Sequence, residues 1–150
     1  MEYTTVIKGV IFALILLKAA VSDIRTRQVD NYLSVMIAIT ALIGVGLTEI
    51  PAMFAGALLV PLPLFIAAII KPGKMGGADI KIMSASAFLL GLTQGMAAMI
   101  IGLSLGLLCT LIIRIITKSN AKDSFPLVAY LSAGSVLAYF IKFFERGLIF

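Results

Sequence analysis

Two aspartates stand at the edges of long apolar stretches in a 150-residue chain that has no histidine and one cysteine. Asp23 lies in Ser22-Asp23-Ile24-Arg25-Thr26-Arg27-Gln28-Val29-Asp30-Asn31, and Asp79 in Gly76-Gly77-Ala78-Asp79-Ile80-Lys81. If folding brings the two carboxylates within a few ångströms, they cannot both ionise cheaply and the pair shares a proton near neutral pH. The ionised member then acts as a base toward water, and the protonated member donates toward a scissile carbonyl. The residues alone also allow a plainer assignment. Asp79 fits the N-cap of a helix after a loop containing Gly73, Gly76 and Gly77, where the backbone can turn tightly and the helix dipole favours a carboxylate. Asp23 fits an interfacial acid neutralised by Arg25 and Arg27.

Other chemistries are poorly supplied. Cys109 is single, sits in an apolar run and has no histidine partner, so it reads as a small buried hydrophobe. Seven carboxylates without histidine or paired cysteines give no metal-ligand motif, and water activated by a carboxylate pair needs no cofactor. Ser22, Ser84 and Ser86 could be proposed as nucleophiles, but serines in apolar helices ordinarily pack and hydrogen-bond. Asp123, in a polar loop ahead of Pro126, fits a loop or capping acid.

These residues must be positioned by membrane helices. The chain is 61% hydrophobic and 13% charged, with a mean hydropathy of +1.15, far from the balance of a soluble domain. Continuously apolar runs without alternation make a barrel a poor alternative. The expected fold is all-α, a polytopic single bundle of about six transmembrane helices: Thr4 to Ser22, Tyr32 to Thr48, Pro51 to Ile70, Ile80 to Gly91, Gly95 to Ile116 and Phe125 to Phe144. The fourth is short, so either its ends run out to Ala78 and Thr93 or it is tucked against its neighbours. Gly91, Gln94 and Gly95 break the long apolar run from Ile82, and Pro51, Pro61 and Pro63 predict an irregular third span. No separate soluble domain and no cleaved signal peptide are expected.

Lysine and arginine set the expected orientation. Arg25, Arg27, Lys71, Lys74, Lys81, Arg114, Lys118 and Lys122 fall on one side, against Lys8, Lys142 and Arg146 on the other, so the first side is read as cytoplasmic and both termini as lying opposite. Asp23, Asp30, Asp79 and Asp123 then share the cytoplasmic side, whereas Glu2, Glu49 and Glu145 face away. The net charge of +5 is explained by topology and by anionic lipid headgroups, with no nucleic-acid partner expected. Gly102 and Gly106 make a small-residue face suited to packing within the chain or to a homodimer.

The two acid-bearing segments resemble the signatures of the type IV prepilin peptidases, membrane aspartyl proteases. Asp23 matches the aspartate after the first helix, Arg25 and Arg27 the basic run, and Val29 and Asn31 the isoleucine and asparagine of Ile-Pro-Asn. Gly76, Asp79 and Lys81 match Gly-x-Gly-Asp-x-Lys, and Phe125-Pro126-Leu127-Val128-Ala129-Tyr130 is similar to the start of the final helix. Asp30 replaces the usual proline and Ala78 the usual second glycine, with Gly77 one residue earlier.

The resemblance implies that Asp23 and Asp79 are catalytic, without a metal. Arg25, Arg27, Asp30, Asn31, Gly76, Gly77 and Lys81 are the candidates for shaping the site or binding substrate. Asn31 is expected to cap the second helix, and Lys81 either to steady the acid pair or to reach headgroups. The implied substrates are prepilin-like proteins with a short basic leader followed by an apolar helix, cleaved at the cytoplasmic face of a prokaryotic cell membrane. With one cysteine and 150 residues the chain is similar to the peptidase-only enzymes of tight-adherence (Flp) pili, lacking the methylation region of larger members. An ion-coupled small transporter and a non-catalytic assembly protein of a secretion machine are the other readings; the first predicts acids near the bilayer midplane.

Overall fold

The structure, a computed structural model, describes residues 2–71, 76–117 and 126–148. Within these residues the chain is all-α: α1 (Glu2–Thr26), α2 (Asn31–Ala41), α3 (Ile50–Leu59), α4 (Leu62–Ile70), α5 (Gly77–Leu90), α6 (Leu92–Thr117) and α7 (Leu127–Leu148), with a short 3-10 turn at Leu47–Glu49 ahead of α3. Gly73, Lys74, Lys118, Lys122, Asp123 and Phe125 lie outside the described residues.

Four stretches are long and apolar enough to cross a membrane, not the six expected: Tyr3–Thr26, Leu47–Ile70, Leu92–Ile116 and Leu127–Glu145. The expected second span fails because the chain leaves α2 at Ala41 and turns through Gly44, whose φ of +66° is open chiefly to glycine. Eleven residues of helix rise only about 16 Å, well short of the hydrocarbon core. The expected fourth span is α5, 14 residues bounded by Gly76 and Gly91. Gly91, at φ +82°, ends α5, and α6 begins at the next residue. The expected irregularity of the third span is present at Val60 and Pro61, where α3 gives way to α4. A proline cannot donate the helix-continuing hydrogen bond, and Pro61 instead accepts one from the N–H of Phe65, 2.9 Å away.

α5 is short but central, packing against α2, α3, α4, α6 and α7. Asp79, Ile82, Met83, Ala85, Ser86, Ala87, Leu89 and Leu90 are all buried along it. Backbone approaches hold this arrangement. A Cβ on Gly56 of α3 would stand 2.6 Å from the carbonyl oxygen of Ala87, and one on Gly102 of α6 would stand 2.9 Å from Leu131 Cα of α7. Gly102 is thus committed to packing within the chain. α1 packs on α2 and α7, with Phe12, Leu16, Leu33, Ile37 and Leu131 among the buried core. Outward residues such as Leu14, Leu17, Leu107 and Ile115 remain more than half exposed, an apolar exterior suited to lipid.

Candidate active site

Asp23 sits in the last turn of α1, whose end is tied off locally. Ser22 Oγ donates to the carbonyl of Gln28 at 2.7 Å, and Thr26 Oγ1 donates to Ser22 and Gln28 carbonyls at 2.9 and 3.1 Å. Arg27 leaves the helix at φ +53°, a left-handed conformation that is uncommon for a side chain with a Cβ, while its N–H still donates to the Asp23 carbonyl at 2.9 Å. This closure turns the chain toward α2 and leaves the Asp23 side chain facing inward, 9% exposed.

The Asp23 carboxylate meets the start of α7. The backbone N–H groups of Val128 and Ala129 and the charge of Arg27 act on it, and together they offset part of the cost of burying a negative charge. Its Oδ2 is nevertheless buried with no hydrogen-bond partner among the described residues. No side chain in the sequence announces the Val128 and Ala129 amides. Pro126, just ahead of the helix, marks where such unpaired N–H groups must fall.

Asp79 occupies the first turn of α5, ahead of the apolar residues that follow, and is 6% exposed. Its Oδ2 accepts the Gly76 N–H at 3.0 Å, and its own N–H donates to the Gly76 carbonyl at 3.1 Å. Burial raises its pKa from 3.8 to about 6; the Gly76 hydrogen bond works against that rise, and the nearby charge of Asp23 adds to it. The two acids, 56 positions apart in sequence, therefore feel one another in the fold.

The glycines before Asp79 act differently from the expected tight turn. Gly76 is extended at φ −77°, and Gly77 begins the helix; neither uses a left-handed conformation. A Cβ on Gly76 would stand 3.2 Å from Asp79 Oδ2, whereas one on Gly77 would meet nothing within 4 Å. Gly76 matters for the space it leaves beside the carboxylate.

The remaining candidates lie around the pair. Asn31 does not cap α2: Asp30 holds the cap position without a side-chain hydrogen bond, and the Asn31 Oδ1 instead accepts from Lys81 Nζ at 2.9 Å. Lys81 is two residues from Asp79, which turns it to the other side of α5, so it links α5 to α2 and not to the acid. Asp30 and Arg25 are exposed, and Asp30 contributes to the field at Lys18, whose Nζ lies 5.2 Å from the Tyr32 ring centre. Ser22 and Ser84 spend their hydroxyls on backbone carbonyls, Ser84 on Ala57 at 2.8 Å, in keeping with packing roles. Cys109 is half-buried instead of buried and interacts with Tyr130.

Among the described residues, the opposite end of the bundle carries no second pair of buried acids. There Lys8 donates to the Ala41 carbonyl at 2.7 Å and Lys142 to that of Leu90 at 3.1 Å, closing the ends of α2 and α5. Both lysines and Glu49 line a cavity of about 450 Å³. The segregation of Lys8, Glu49 and Lys142 from Asp23, Asp30, Asp79 and Lys81 is the one expected from the loop charges.

Compared with known proteins, the chain matches the model of the Type IV leader peptidase family over residues 10–111, a segment that contains both acids and ends before α7. No curated protein and no solved structure matches it. With more than half of its length matched and both signature segments inside the match, the chain belongs to the Type IV leader peptidase family.

Proposed function

We propose that this protein is an aspartic endopeptidase that removes the short basic leader from prepilin-like substrates, with Asp23 and Asp79 as its catalytic pair and a single membrane-embedded domain. The observation that carries this reading is the electrostatic coupling of two buried acids from distant segments, one of them shifted to about 6. Such a pair holds one proton between its members near neutral pH.

Asp79 keeps the proton, because burial disfavours its charge. Asp23, beside the α7 amides and Arg27, is the base. A water between them gives one proton to Asp23 as its oxygen adds to the scissile carbonyl, whose oxygen takes the Asp79 proton. Collapse of the tetrahedral intermediate breaks the C–N bond and delivers the proton on Asp23 to the leaving nitrogen. The proton returned from the intermediate's hydroxyl restores Asp79.

The acids lie in terminal turns of α1 and α5, so the scissile bond meets them at the end of the bundle. The positive-inside bias makes that end cytoplasmic, where a basic leader arrives, and exposed Asp30 adds negative charge near the mouth. The substrate must be extended locally there, because a helix buries the carbonyl in its own hydrogen bonds. An ion-coupled transporter would place its acids at mid-depth; the terminal positions favour the peptidase.

The test is purified protein in liposomes with a synthetic prepilin-like polypeptide, the products read by mass spectrometry. The expected result is one cut between basic leader and apolar helix, undiminished by a chelator. Intact substrate under all conditions, or activity dependent on an added divalent metal, would overturn the reading.

A further inference from the structure

Four buried side-chain oxygens lack a hydrogen-bond partner among the described residues: Asp23 Oδ2 and the hydroxyls of Ser86, Ser132 and Ser135. They belong to α1, α5 and α7, three helices of which α7 packs on both others. The serines are 0%, 3% and 1% exposed, so none reaches bulk solvent. Other hydroxyls in the helices behave differently. Thr40 donates to the Met36 carbonyl, Thr110 to that of Gly106 and Ser84 to that of Ala57, each at 2.8 Å.

Their placement leads back to the acids. Ser86 follows Asp79 by seven residues, two turns along the same face of α5 and about 10 Å deeper. Ser132 and Ser135 follow Val128 by four and seven residues, and the Val128 N–H acts on Asp23. A buried hydroxyl without a protein partner is costly unless water satisfies it, and buried water requires several polar groups close together. The spacing sets Ser86 on the Asp79 face of α5 and Ser132 and Ser135 on the Val128 face of α7, and α7 packs against both α5 and α1.

We propose that Ser86, Ser132 and Ser135 hold a file of water molecules inside the bundle, continuous with Asp23, and that this water supplies the hydrolytic step when a substrate covers the mouth of the site. Each peptide bond cleaved consumes one water, whose oxygen ends in the new carboxyl group while one of its protons passes through Asp23 to the new amine. The supply role rests on the peptidase reading; the water file itself does not.

The experiment is radiolytic hydroxyl labelling of the full-length protein in liposomes, with oxidation located by mass spectrometry. Met83, fully buried, lies four residues after Asp79 and three before Ser86 on that face of α5, whereas Met53, 4% exposed, lies on α3 outside the junction. Water in the junction predicts Met83 oxidation at least about five-fold faster than that of Met53, with the excess lost in Ser86→Ala/Ser135→Ala. That double variant should also melt lower than the parent and show a several-fold lower kcat with KM unchanged. Met83 as protected as Met53, or a double variant that melts at or above the parent, would overturn the water file. Labelled Met83 with a parental kcat in the double variant would overturn its supply role. Labelled Met83 in a protein that cuts no substrate would count against the peptidase reading and leave the file standing.

Discussion

Asp79 shows how burial changes the protonation of an ordinary carboxyl group. Its folded pKa of about 6 lies above the ordinary 3.8, so between these values the folded protein holds a proton that the unfolded chain has released. Stability is therefore fully present below about 3.8, declines as pH rises to about 6, and is flat above. Asp79→Asn keeps an acceptor for the Gly76 N–H but carries no charge. It should melt higher than the parent at pH 7.5, with the advantage gone below pH 4; an equal difference at both pH values would contradict the assigned burial cost. The glycines separate in the same way. Gly76→Ala crowds Asp79 Oδ2 and should lower cleavage at least several-fold, whereas Gly77→Ala, facing open space at the first turn of α5, should leave cleavage intact and stabilise by about 0.5–1 kcal/mol. Equal activity of the two variants would contradict this distinction. Both acids were legible in the sequence because an apolar chain leaves few polar residues to explain. The Lys81 to Asn31 bond and the Val128 and Ala129 amides were not, since one spans 50 positions and the others are backbone groups with no side-chain signature.

Among the helices, backbone proximity decides what hydropathy alone could not. Apolar runs gave the existence of the helices, and proline gave the break between α3 and α4, but six spans became four long ones because turns inside apolar sequence leave hydropathy unchanged. Gly44 and Gly91 carry that information in their left-handed φ values, which sequence does not distinguish from close-packing glycines. Gly102 and Gly134 are of the packing kind: a Cβ on Gly134 would stand 2.8 Å from Gly102 Cα and close upon the Ala98 carbonyl. Backbone cannot yield as a flexible side chain can. Gly134→Ala should destabilise by about 1–3 kcal/mol by prying α7 from α6, read as a lower thermal midpoint in detergent. Because α7 brings its first amides to Asp23, activity should fall with it even at temperatures where the protein is folded. A midpoint equal to the parent would show that the two helices do not rest on these glycines.

At the scale of the molecule, the bundle separates its charges into two ends and places both acids at one. Arg25, Asp30 and Lys81 accompany them, and Lys8, Glu49 and Lys142 occupy the other end. Single cysteines in a Cys109→Ser background should make Arg25 and Lys81 positions react with a membrane-impermeant maleimide only from the cytoplasmic side, and the Glu49 position only from the opposite side. Labelling of Arg25 and Glu49 positions from one side would break the topology. Everything in the functional account nonetheless converges on two carboxylates. Asparagine preserves their size and much of their hydrogen bonding but can neither accept the proton of water nor return one, so the chemical step should fail where folding and binding survive. The most direct measurement is leader removal from a co-expressed prepilin-like substrate by Asp23→Asn and Asp79→Asn proteins shown to be inserted and folded, read by mobility shift and the new N-terminus. The account predicts uncut substrate with either variant and clear cleavage with Asp30→Asn; full cleavage by Asp23→Asn or Asp79→Asn would contradict it.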